Sequence, residues 1–168
     1  MSCRLFFPMS ELNPYARFLD GRPLETILGS TSHEIANKLQ MIDPDRTTEP
    51  PAPGKWSPAQ IVCHLADCEV AFAFRLRQTL AEDHHVLQPF DQDKWAAPYQ
   101  NFSARDALAA FTALRSWNLL LIKGSLPASG SKPVTHPERG TMTFQTIVET
   151  MAGHDLNHLG QLQRIAKP

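Results

Sequence analysis

"GHDLNHLGQL", residues 153–162, sets His154 and His158 four residues apart among leucines. Outward from this stretch, Ile147, Met151, His154, His158, Leu162 and Ile165 recur at helical intervals of three and four, so both imidazoles occupy the apolar stripe of one helix. That helix is expected over residues 143–166, with Arg164 and Lys167 in its last turn complementing the negative end of the helix dipole.

Three further segments carry helical punctuation. The first, over 22–42, starts near Pro23, whose fixed φ suits a first helical residue, and carries Leu24, Ile27, Leu28, Thr31, Ile35, Leu39 and Ile42 until Asp43-Pro44 stops it. The second, over 57–81, opens with "SPAQ": Ser57 caps, Pro58 lacks the amide hydrogen that would go unpaired there, and Gln60 can return a bond to the cap. Ile61, His64, Leu65, Cys68, Phe72 and Leu76 then follow one stripe. The third, over 103–125, opens with "SARD" as a capping box and runs through Leu108, Phe111, Leu114, Trp117 and Leu121, with Gly124 and Pro127 marking its end. No segment alternates long enough to predict a strand. The pattern predicts an all-α four-helix bundle with long inter-helix connections, at least one of which crosses the bundle.

The 168 residues suit one domain, expected over 13–168 after a tail at 1–12, with Met1 or Met9 as the start. Sixteen basic against 17 acidic residues give a net charge of -1, which speaks against nucleic acid and acidic membrane surfaces as partners. Cys3, Cys63 and Cys68 form no disulfide framework, and the opening residues hold neither a signal peptide nor a membrane span, so a cytoplasmic location is expected.

His64 stands between Ile61 and Cys68 on the inward stripe of its own helix, so three histidines point into one bundle. Residues four apart on a helix have Cβ atoms about 5–6 Å apart, close enough for both rings to reach one ion. Three imidazoles are the ligand number of a catalytic zinc site, which leaves a position for water or substrate. Partly buried histidines are also often no more than hydrogen-bonded core residues. Spacing leaves both readings open.

The stretches "KWSPAQIVCHLADCE" (55–69) and "HPERGTMTFQTIVETMAGHDLNHLGQL" (136–162), with the separation between them, resemble the DinB/YfiT-like superfamily of metalloenzymes. The resemblance implies a four-helix bundle of the DinB/YfiT-like type. It also implies a metal held by one histidine of the second helix and the HxxxH pair of the last, which correspond here to His64, His154 and His158. Related branches use a low-molecular-weight thiol, so the resemblance implies a thiol-dependent S-transferase acting on a small molecule. A metal-dependent hydrolase and a non-catalytic metal-binding stress-response bundle are the alternatives. Zinc is the expected ion in the cell, with nickel able to replace it in purified protein, and a homodimer is expected.

Around the ligands, Asp155 and Asp67 are candidates to accept a ligand imidazole's second N–H, and Gln161 can bond a ligand or a bound water. Asp155 and His136 are the candidate catalytic proton carriers in the hydrolase reading. Cys68 is a possible fourth ligand, though small apolar packing is the more frequent fate of a buried thiol. Arg75 and Arg77 are candidates for an anionic group, and Trp56, Trp95 and Tyr99 for substrate contact, with Phe72, Phe74 and Trp117 assigned to core or interface. His33, His84 and His85 read as surface residues.

Overall fold

A computed structural model describes residues 12–167. The expected tail, the choice between Met1 and Met9, and Cys3 fall outside them, Leu12 apart. Four long helices carry the fold: α1 (Leu24–Gln40), α2 (Pro58–Ala81), α4 (Ala104–Ser129) and α5 (Phe144–Ala166), with a one-turn α3 (Gln92–Ala96) between α2 and α4. None is long and apolar enough to cross a membrane.

The start signal of α2 is met in full, and α5 opens with a capping box that the sequence reading did not name. Ser57 accepts from the Gln60 amide while Gln60 returns a bond to the Ser57 amide, and Thr143 and Thr146 make the same reciprocal pair. At α4 only half the box forms: Ser103 accepts from the Asp106 amide, and the Asp106 carboxylate takes the Ser103 hydroxyl instead of the cap amide. Pro23 is the cap of α1, not its first turn, because its ψ of 136° is extended. Pro127 does not end α4: the helix runs two residues past it, closed by the bond from the Gly130 amide to the Leu126 carbonyl.

α4 packs against α1 and α2, and α5 packs against the same two, so the consecutive helices α1 and α2 are not a closely packed pair. Their connection therefore crosses the bundle instead of making a tight up-down turn. The link from α4 to α5 is a hairpin that the sequence reading did not predict. β1 (Pro133–His136) pairs antiparallel with β2 (Gly140–Thr143) in the register Val134 to Met142. It buries Val134 and Met142 in the core, and Gly140, at φ +86°, makes the turn at a conformation that favours glycine. The segment after α2 docks on its outer edge, with the Leu87 amide donating to the Thr135 carbonyl.

The apolar core is in two parts. One gathers Leu28, Phe72, Ile122, Phe144, Ile147 and Met151, and the other Ile35, Ile61, Leu65, Phe111, Leu159 and Leu162. Between them each long helix contributes buried polar side chains: Thr31 from α1, His64 and Glu69 from α2, Arg115 and Asn118 from α4, and His154, Asp155 and His158 from α5. This polar layer also corrects the inward face assigned to α4. Ala107, Phe111, Arg115, Asn118 and Ile122 face in, while Trp117 is exposed, as is Phe74 on α2.

Candidate metal centre

His64 Nε2 lies 3.0 Å from His154 Nε2, which lies 3.1 Å from His158 Nε2, and all three side chains are buried. His158 Nδ1 donates to Gln161 Oε1 at 3.0 Å, which puts its proton on that side and turns the bare Nε2 lone pair toward His154. Gln161 is therefore the residue that orients a candidate ligand. The rings are held by aromatic neighbours: Trp56 stands 4.6 Å from His64 between centroids, and Tyr15 packs edge-on against His154 at 5.0 Å.

The donor set fits a divalent ion better than it fits a hydrogen-bonded trio. His154 Nε2 can carry one proton at most and faces two nitrogens, so in every neutral tautomer one of the two contacts is unsatisfied. Charging the rings does not resolve this, because burial opposes it. Burial, with the His158 charge behind it, pushes His64 down to about 3; burial and then both histidine partners hold His154 well below the ordinary range. His158 is also lowered by burial, against the pull of Gln161 and Asp155. Two nitrogens at 2.0–2.1 Å on a tetrahedral zinc would lie about 3.3 Å apart, close to the separations seen. Imidazole suits zinc, nickel and copper more than magnesium or calcium.

Folding that buries these histidines neutral has a pH consequence. Their folded pKa values lie below the unfolded value, so as pH falls through about 6.5 the unfolded chain takes up protons first and gains on the folded one. Each buried histidine should remove about 1.4 kcal/mol of stability per pH unit below that point, down to its folded pKa. Urea midpoints of metal-free protein should drop from pH 7 to pH 5, and less steeply in His64→Gln; a flat midpoint would refute this burial.

Asp155 is not where the sequence reading put it. Its carboxylate is buried on the neighbouring face of α5, where it accepts from the Thr31 hydroxyl at 2.8 Å and from the Arg115 guanidinium. It neither bonds an imidazole nor lines a cavity at the site, so it is not placed to carry a proton there. Arg115 spans Asp155 and Glu69, donating Nε to Glu69 Oε1 at 3.0 Å and Nη2 to Oε2 at 2.7 Å, while Asn118 also donates to Glu69. Burial would lower Arg115, but the Asp155 and Glu69 charges outweigh it and hold it firmly protonated. The sequence reading missed Glu69, Arg115 and Asn118, although Phe111, Arg115, Asn118 and Ile122 keep helical spacing.

Asp67 accepts from the Tyr99 hydroxyl at 2.7 Å and does not reach His64. Tyr99 is core, Trp95 stacks on Phe90 away from the histidines, and Arg77 is tied to Asn118. Cys68 Sγ lies 3.5 Å from His64 Nε2 and 3.9 Å from His154 Nε2, its thiol pKa raised by burial. Among the described residues, the group brought together as metal donors is the three histidines. His33 and His84 are exposed, and His85 joins β1 through its backbone.

Two cavities meet at the centre. The larger, about 650 Å³, is lined by Trp56, Ile61, His64, His158, Gln161 and Arg164 among others; the smaller, about 210 Å³, reaches His64, Cys68 and His154 and includes His136. Tyr15, His64 and Gln92 border both. Tyr15 was not foreseen, and its seat depends on Gly153, where an added Cβ would stand 2.5 Å from the Tyr15 carbonyl oxygen. Gly153→Ala should displace that backbone and lower the melting temperature by several degrees, a destabilisation of about 1–3 kcal/mol. An unchanged melting curve would contradict the close approach.

The family model described as the DinB superfamily matches residues 30–162. A protein of Oceanobacillus iheyensis named "Putative metal-dependent hydrolase" is 27% identical over 115 residues, 68% of this chain and 67% of its own. A Bacillus mycoides protein so named is 23% identical over 131 residues, 77% of this chain and 76% of its own. A solved structure described as "YfiT from Bacillus subtilis is a probable metal-dependent hydrolase with an unusual four-helix bundle topology" superposes with a TM-score of 0.73 at 16% identity, covering 98% of this chain and 92% of that one. At that identity the likeness shows the fold.

Proposed function

The chain belongs to the DinB superfamily, and from that premise we propose that it is a divalent-metal-dependent hydrolase whose ion, zinc in the cell, is held by His64, His154 and His158. The observation that carries the reading is the convergence of three Nε2 atoms at the junction of two cavities; the names of the sequence relatives support the reaction class. An ion with three protein ligands and an open position acts as a Lewis acid and can bring a bound water near a pKa of about 7. The chain's own residues supply the rest. Gln161 fixes the tautomer of His158, Trp56 and Tyr15 pack the ligand rings and restrict water, and His136 stands in the smaller cavity as the candidate to move a proton.

A second reading, transfer to or from a low-molecular-weight thiol, is favoured by the two cavities themselves, since hydrolysis needs room for one organic molecule and transfer for two. Zinc-loaded and metal-stripped protein should be assayed against ester and amide panels, and against thiols paired with an electrophile. Turnover of an ester or amide by the loaded form alone supports hydrolysis. Turnover only with thiol and electrophile supports transfer, and neither would leave a non-catalytic metal-binding bundle.

A further inference from the structure

The smaller cavity contains a second group of polar side chains, of which the metal reading uses His136 alone and leaves the two arginines without a role. Arg75 enters it from α2, two turns beyond Cys68, and His136 and Arg139 enter from the hairpin. The buried Arg115 has two carboxylates and Arg22 has Asp20, whereas Arg17, Arg46, Arg105 and Arg164, which do not line this cavity, have no ion pair among the described residues. Among the described residues neither Arg75 nor Arg139 has a carboxylate within ion-pair distance. The polar partner of Arg75 is the Gln88 carbonyl at 3.0 Å, and its guanidinium stands over the Phe90 ring at 5.6 Å. Glu138 also lines the cavity without pairing with either arginine; its amide donates to His136 Nδ1 at 3.2 Å. That bond leaves the His136 proton on Nε2, a donor. After burial, the Arg139 and Arg75 charges lower His136 against the pull of Glu138, and burial lowers Arg75, with the Arg139 charge adding to it and Cys68 opposing it. Two guanidinium charges at one cavity, with a single carboxylate there that pairs with neither, repel until an anion arrives, and guanidinium forks match the geometry of planar oxyanions.

We propose that the smaller cavity, through Arg75, Arg139 and His136, is a binding site for an oxyanion, a carboxylate or phosphate, carried by the molecule that reacts at the three-histidine centre. The assignment of the reacting molecule rests on the metal reading above; the anion site itself does not. About 210 Å³ suits such a group with a few carbon atoms, and the cavity wall includes His64 and His154, so a bound anion would set the neighbouring bond of its carrier beside the candidate ligands.

The test is calorimetry with succinate, inorganic phosphate and neutral succinamide on zinc-loaded and metal-stripped protein. At least one anion should bind both forms, and succinamide should bind at least about tenfold more weakly, as expected when charge-assisted hydrogen bonds are lost. The tighter of succinate and phosphate identifies the chemistry of the carrier. Arg139→Gln, on the hairpin, and separately Arg75→Gln should each weaken the anion about tenfold while zinc stoichiometry stays unchanged. Wild-type affinity in both variants would overturn the proposal, as would absence of anion binding to wild-type protein at millimolar concentration. Binding that disappears whenever zinc is stripped would overturn it too, by assigning the anion to the ion. If zinc fails to bind while the anion binds stripped protein and depends on the arginines, the metal reading fails and the anion site stands.

Discussion

Replacing His154 by alanine is expected to abolish high-affinity binding of a divalent ion. Its Nε2 is the atom that both other histidines approach, at 3.0 and 3.1 Å, so its removal leaves two donors with nothing between them. Changes behind a ligand already cost about 10–100-fold in metal affinity, and loss of a ligand itself should exceed that. Zinc should stabilise wild-type protein by about 2.7 kcal/mol at a hundred times its dissociation constant and should leave the melting temperature of His154→Ala unmoved. His33→Ala, at an exposed position of α1, should behave as wild type. His158→Ala provides the same comparison if His154→Ala folds poorly. Calorimetric titration of zinc into each variant reads the effect, and unchanged affinity in both would remove these histidines from the metal site.

Replacing Arg115 by methionine should have the largest effect on stability. The guanidinium stands between Glu69 and Asp155 in the layer separating the two apolar parts of the core. Methionine fills much of the volume but leaves two buried carboxylates facing each other without a cation, a change that costs about 3–5 kcal/mol. Against a total of about 5–15 kcal/mol, that is enough to unfold a marginal domain at moderate temperature. Adding Glu69→Gln and Asp155→Asn to Arg115→Met should recover part of the loss, because the uncompensated charge is the source of the cost. Urea denaturation of the three proteins checks this; a loss below about 1 kcal/mol in the single variant would mean that the network is not buried as described.

The four helices were legible because their punctuation and periodicity agree: Ser57-Pro58 starts a helix where capping chemistry says it should, and the HxxxH pair keeps the phase of Met151 and Leu162. The inward face of α4 was misread for the reason that makes it interesting. A rule that assigns apolar residues to the core turns Trp117 in and Arg115 out, whereas two carboxylates from other helices make the arginine a core residue. Asp155 was misplaced by the same omission, since nothing local to α5 reveals that its partners are Thr31 and Arg115. The hairpin escaped because four-residue strands are too short for alternation to register, and Val134 and Met142 become core only once α2 and α5 are in place. Tyr15 and Gly153 are linked by a close approach far apart in sequence, which no local pattern encodes.

The claim that the three histidines form one metal centre is tested most directly by X-ray absorption at the zinc edge of protein loaded with one equivalent of zinc. The expected result is a first shell with three imidazole nitrogens at about 2.0–2.1 Å, visible through the outer-ring scattering of the imidazoles, with that scattering lost in His154→Ala. A shell of oxygen atoms without imidazole scattering, or an identical spectrum in His154→Ala, would contradict it.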